Sequence, residues 1–325
     1  MSPKEIRIVF MGTPDFAVES LKALVENGYR IVGVITAPDK PAGRGRQLSE
    51  SAVKKYALEN KLNVLQPEKL KNPEFLAELQ SLKADLQIVV AFRMLPEIVW
   101  NMPRFGTFNL HASLLPQYRG AAPLNWAVIN GEKETGITTF LLSHEIDTGK
   151  IIFQEKVGIA ENDTVGDLHD RMMAIGAGLV IKTVNALVEG GIKPIDQEQL
   201  IDNPDRIKQA PKLFKDDCRI DWTKDTESVR NLIRGLSPYP TAWTELMHTV
   251  KEDVLTAKIF AATCDNSSLP AAPGTLQTDG KKFLKIACPD GWLSVTDIQL
   301  SGKKRMKIDE LLRGFHGLGD WRIKM

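Results

Sequence analysis

Cysteine is scarce: three in 325 residues, Cys218, Cys264 and Cys288, with no CxxC pair. An odd count without that spacing supports neither a disulfide framework nor a zinc site, and it points to a reducing cytoplasm. Long hydrophobic runs are missing too. No uninterrupted apolar stretch nears the roughly 20 residues of a membrane span. The opening Met1-Ser2-Pro3-Lys4-Glu5 turns into a strand-like run without a signal-peptide core. A soluble protein with no membrane partner is expected. Charge of one sign is lacking, with 42 Lys/Arg against 41 Asp/Glu, so no global attraction to a polyanion follows. Only the stretch from Pro211 onward tips positive, with 18 basic against 15 acidic residues. No Gly-x-Gly-x-x-Gly follows the first strand, which excludes the nicotinamide fingerprint. No Gly-x-Ser-x-Gly occurs, which disfavours a covalent acyl-enzyme. Internal repeats and low-complexity segments are absent.

What is present is an ordinary globular composition, 43% hydrophobic and 26% charged, at a length that suggests two domains. Ile6–Met11 is an apolar run suited to a buried parallel strand. Thr13 is the expected N-cap of a helix with Pro14 at its first position, Gly28 ends it, and Arg30–Thr36 is the next strand. Residues 37–51 read as a loop on a Gly/Pro backbone carrying Lys40, Arg44 and Arg46; loops this long are usually functional or disordered. Helices are expected at 52–61 and 73–83, a buried strand at 85–92, and a strand at 107–110 that runs into a turn. A helix near 124–129, strands at 137–142 and 151–157, and a long helix over 164–189 follow. Alternating strands and helices predict a mostly parallel, Rossmann-like α/β sheet, with ligands at the carboxyl ends of its strands. Periodicity fades from 194 to 211. After a helix at 226–236, short strands between Gly, Pro and Asp turns predict a small β-barrel. The expected division is therefore 1–203, a linker at 204–211, and 212–325.

One stretch concentrates chemistry. Asn109 and His111 are two apart, so an extended chain puts both on one face. Downstream, Asp147 lies in the turn Ser143–Gly149 between two strands. Each alone has a bland reading: a turn former, a structural histidine, a cap. Together, amide, imidazole and carboxylate at strand ends suit acyl transfer. Asn109 can donate to a developing oxyanion, His111 can move a proton, and a nearby Asp147 would favour the imidazolium. Ser113 can be read either as a nucleophile or as part of a pocket-shaping turn.

Several blocks resemble the methionyl-tRNA formyltransferases. They are Met11-Gly12-Thr13-Pro14-Asp15-Phe16-Ala17, Pro38–Gly45, Asn109–Pro116 with Tyr118–Pro123, Glu134–Thr138, Ile146-Asp147-Thr148-Gly149, Ile220-Asp221-Trp222 and Gly302-Lys303-Lys304. The Ser-Leu-Leu-Pro and Asp-Thr-Gly blocks are common to formyltransferases that use 10-formyltetrahydrofolate. The basic loop and the second domain narrow the resemblance to the tRNA enzymes. It implies a Rossmann-like domain with a C-terminal barrel of OB type. It also implies transfer of a formyl group from 10-formyltetrahydrofolate to methionyl initiator tRNA by a monomer, with no metal.

The same resemblance makes Asn109, His111 and Asp147 the catalytic set and lays Ser113, Leu114, Leu115 and Pro116 on the folate. Phe92, Arg93, Met94 and Leu95 occupy the segment that wraps the pterin. Here the chain departs from the usual aromatic-Gly pair and is similar to the glycinamide ribonucleotide formyltransferases. Lys40, Arg44 and Arg46 would meet the tRNA acceptor end, and Lys208, Lys212, Lys303 and Lys304 its backbone. Two other readings stand beside this one. A small-amine formyltransferase needs neither the basic loop nor the barrel, and an RNA-binding protein with a dead transferase fold does not need the Asn-His-Asp set.

Overall fold

A computed structural model of the chain describes residues 2–42, 47–265 and 271–324. It forms two units. Met1–Gly120, Glu134–Gly158 and His169–Gln209 make the first; Ala121–Lys133, Ile159–Leu168 and Ala210–Met325 make the second. Reading in chain order puts 121–133 and 159–168 in the first domain, whereas by proximity they go with the second.

The first unit runs β1 (Arg7–Gly12), α1 (Asp15–Glu26), β2 (Arg30–Ile35), β3 (Lys40–Ala42), β4 (Gln47–Ser49), α2 (Ala52–Glu59), β5 (Val64–Leu65), α3 (Pro73–Ser81), β6 (Leu86–Val90), α4 (Glu97–Trp100), β7 (Thr107–His111) and β8 (Arg119–Gly120). After α5 (Pro123–Ile129), which belongs to the second unit, come β9 (Glu134–Leu141), β10 (Ile151–Gly158), α6 (Val165–Glu189) and β11 (Gln209–Ala210), with residues 165–168 of α6 and Ala210 of β11 falling in the second unit. The main sheet has the order β10-β9-β7-β6-β1-β2-β5. Its β7, β6, β1, β2 and β5 are parallel, while β9 runs against them and pairs antiparallel with both β7 and the edge strand β10. Every residue of β6 is buried, as a central parallel strand covered on both faces requires. Val9, Met11, Ile35, Val89 and Val99 centre one core layer; each such side chain contributes about 1.5–3 kcal/mol on burial.

Two expectations need correction. The stretch 37–51 is not simply a loop: Lys40–Ala42 and Gln47–Ser49 pair antiparallel as a hairpin stem, register Lys40 to Ser49. Main-chain bonds hold it, and its sequence has no alternating pattern to reveal them. Helix α1 starts at Asp15 with Pro14 as its cap residue and no side-chain cap from Thr13. By length and composition α6 is apolar enough to cross a membrane. In this fold it lies on the sheet, with Gly176 against Leu110 and Ile137 and Thr183 Oγ1 donating to Thr139 Oγ1 at 2.9 Å.

The second unit contains α5, α7 (Thr226–Gly235), β12 (Ala242–His248), β13 (Val254–Asp265), β14 (Leu276–Thr278), β15 (Leu284–Cys288), β16 (Gly291–Leu300), β17 (Met306–Lys307), α8 (Ile308–Gly314) and β18 (Trp321–Ile323). Its strands are antiparallel in the order β14-β15-β16-β13-β12-β18, with β17 on β16. They curl into a nearly closed barrel of OB type. Trp222 fills its core and satisfies its indole N–H on Thr244 Oγ1 at 3.1 Å. Helix α5 packs on α7: Asn125 Nδ2 donates to the Gly235 carbonyl at 2.8 Å, and a Cβ on Gly235 would stand 2.6 Å from Ile129.

Candidate active site

Strand β7 sets the site. It lies between β6 and β9, with Asn109 opposite Val89 on one side and Phe140 on the other, and His111 opposite Thr138. Leu110 points to α6, so the alternation of the strand sends Asn109 and His111 to the opposite face. Both sit at the carboxyl end of a parallel strand, where the sequence places them. Asn109 is half-buried, and its carboxamide enters none of the side-chain hydrogen bonds among the described residues.

His111 is buried, with its ring edge toward Phe140. Its Nε2 stands 2.9 Å from the Tyr118 carbonyl oxygen. A carbonyl only accepts, so Nε2 carries hydrogen and donates. The nitrogen left to gain or lose a proton is Nδ1, and it faces Asp147 Oδ2 at 3.8 Å. That distance suits an ion pair with the imidazolium and is too long for a hydrogen bond. Asp147 Oδ2 instead accepts from the Gly120 N–H at 2.9 Å. The turn Gln117–Gly120 therefore supplies the carbonyl that aims His111 and the amide that holds Asp147.

That turn is strapped from outside. Tyr118 N–H donates to the Lys208 carbonyl at 2.7 Å, Lys208 N–H donates to Gln117 Oε1 at 2.9 Å, and β8 pairs with β11. The stretch 204–211 is thus structured, with a 3-10 turn at Pro204–Arg206 before β11. Gln197, which sequence reasoning missed, is almost fully buried and touches both Arg119 and the Asp147 turn. It falls where apolar periodicity has faded, so no pattern marks it.

The Ser-Leu-Leu-Pro segment is committed to its own fold. Ser113 Oγ donates to the Gln117 carbonyl at 2.6 Å with no exposed surface. Thr138 Oγ1 donates to the Ser113 carbonyl at 2.6 Å, and Gln154 Nε2 donates to the Leu115 carbonyl at 2.8 Å. Leu115 packs on Phe140 and Ile151, Pro116 is buried and Leu114 is half-buried beside Gly136.

In the loop after β6, Phe92 is half-buried, Met94 exposed and Leu95 buried. Arg93, the odd residue of that segment, lies over the Phe92 ring and donates to the Glu68 carbonyl at 2.8 Å and to that of Pro67. Burial lowers its guanidinium below the usual value. His144 is exposed, 3.8 Å from Glu97 and edge-on to Trp100.

Of the basic candidates, Lys40 and Lys208 are exposed on the first unit. Lys212, over the Phe214 ring, and Lys303 and Lys304 are exposed on the second. Arg44 and Arg46 lie outside the described residues.

Residues 6–184 match the family described as Formyl transferase, and 212–316 match Formyl transferase, C-terminal domain. Methionyl-tRNA formyltransferase of Bacteroides fragilis is 59% identical over 328 residues, covering 100% of this chain and 99% of that protein. The Flavobacterium johnsoniae protein of the same name is 52% identical, covering 96% of each. Among solved structures, the N-formyltransferase from Helicobacter canadensis in complex with folinic acid and dTDP-3-aminofucose has a TM-score of 0.64 at 21% identity, over 93% of this chain and 100% of that one. WlaRD, a sugar 3N-formyl transferase, has a TM-score of 0.63 at 21% identity, over 92% and 99%. At those identities the two structures speak to the fold. With both family matches and full-length relatives above 50% identity, the chain belongs to the formyl transferase family, among its methionyl-tRNA formyltransferases.

Proposed function

We propose that this chain, acting as a cytoplasmic monomer, transfers the formyl group of 10-formyltetrahydrofolate to the α-amino group of methionyl initiator tRNA. The observation that carries the reading is the joint placement of Asn109, His111 Nδ1 and Asp147 Oδ2 within one unit, beside full-length likeness to the tRNA enzymes. The folate co-substrate supplies an activated formyl carbon. Asn109, with its amide uncommitted, donates to the formyl oxygen as it gains charge, and each well-placed donor is worth about 3 kcal/mol there. His111 presents Nδ1 to the same region. Asp147 stabilises the cation formed when Nδ1 takes up a proton, and it gives the amine's proton a route toward the leaving nitrogen.

The donor set fits a folate on this chain's own chemistry. The backbone turns at 91–95 and 113–116 flank β7 and are braced by side-chain to main-chain bonds, so they can offer peptide groups to a pterin. In this reading Phe92, Arg93, Met94 and Leu95 and Ser113, Leu114, Leu115 and Pro116 contribute mainly through backbone and shape. Lys40, Arg44, Arg46, Lys208, Lys212, Lys303 and Lys304 meet tRNA phosphates, and the segment 212–325 is the tRNA-contacting domain.

The test is direct. With 10-formyltetrahydrofolate, the enzyme formylates charged initiator tRNA and leaves small amines such as amino sugars unreacted. No transfer to the tRNA overturns the reading. His111→Ala should lower kcat by about 100-fold or more with tRNA affinity little changed.

A further inference from the structure

Asp147 has a backbone φ of +56°, a left-handed conformation that residues with a Cβ rarely adopt. Aspartate enters that region more readily than most residues, and Gln197 makes the contacts that fix the turn carrying it. Only 2% of Gln197 is exposed. Its Nε2 donates to the carbonyls of Asp147 and Gly149, both at 2.8 Å, gripping the turn on either side of Thr148. Its Oε1 accepts from Arg119 Nε at 3.0 Å and Nη2 at 2.7 Å. Two carbonyls on one side and a guanidinium on the other admit only this orientation of the amide.

Arg119 immediately precedes Gly120, whose N–H holds Asp147 Oδ2 at 2.9 Å. One side chain therefore fixes both the main chain of Asp147 and the residue next to the amide that fixes its carboxylate. We propose that Gln197 is a positioning residue: it sets the 3.8 Å approach of Asp147 Oδ2 to His111 Nδ1 and touches neither substrate. This rests on the reading of Asp147 as catalytic.

Gln197→Glu keeps an acceptor for Arg119 and turns oxygen toward two carbonyls. It should lower kcat by about 10- to 100-fold, with KM for charged tRNA and for the formyl donor within about threefold. In an Asp147→Asn background the same substitution should cost less than about twofold more, because its target has already gone. An unchanged kcat for Gln197→Glu, or losses that multiply in the double variant, overturns the positioning role. Near-normal kcat in Asp147→Asn alone overturns the catalytic reading of Asp147 instead, and the role with it. If Gln197→Glu does not melt cooperatively, Gln197→Met decides by the same two comparisons.

Discussion

Ser113 directs its hydroxyl hydrogen into a buried bond to the Gln117 carbonyl, which makes it a brace for the turn that serves His111. Ser113→Ala should lower stability by about 1–2 kcal/mol and raise KM for the formyl donor a few-fold, read from thermal melts and steady-state kinetics. A 100-fold fall in kcat at unchanged stability would instead put the hydroxyl in the chemistry. Asn109, His111 and Asp147 were legible in the sequence because strand alternation and a short turn place them locally. Gln197 and Arg93 were not. Their partners lie 25 to 78 residues away and are mostly main-chain carbonyls, which carry no sequence signature.

At the scale of elements, the β9–β10 connection shows how tightly the Asp147 turn is built. A Cβ at Gly149 would lie 1.7 Å from the Leu141 carbonyl oxygen, a closeness that only glycine permits. Gly149→Ala should cost about 3 kcal/mol or more, seen as a lowered denaturation midpoint or insoluble protein. Wild-type stability with full activity would show that the turn can move aside freely. The β3–β4 hairpin is anchored in a different way, at its feet. Lys54 Nζ reaches Asp39 at 2.5 Å and Glu50 at 3.0 Å, Gln66 Nε2 donates to Asp39 at 2.8 Å, and Thr36 and Ser51 hydroxyls meet at 2.7 Å. Hydrogen bonds from Lys54 and Gln66 hold the Asp39 carboxyl below the usual carboxylate range. The alternation of strands and helices was readable from periodicity. The antiparallel sense of β9 and the short strands β3, β4, β14, β17 and β18 were not, since two- and three-residue ladders have no period.

Across the whole molecule, the three thiols report on the second unit. Cys264 is exposed, while Cys218 and Cys288 lie in the barrel core. Burial raises both core thiols above their ordinary value, Cys288 to about 12, so neither offers thiolate while folded. A thiol reagent at pH 8 should modify one cysteine per native chain and three in denaturant, counted by mass; rapid native modification of two or three would mean that the barrel opens readily. The second unit is also discontinuous along the chain: α5 precedes its partner α7 by about 100 residues. During synthesis at roughly 5–20 residues per second, α5 emerges several seconds before the helix that covers it. A product halted near residue 203 would carry α5 with Ile129 and Asn125 lacking their Gly235 contacts on α7. Cutting at the seam between the two family segments therefore leaves a sticky fragment, one suited to chaperones and proteases.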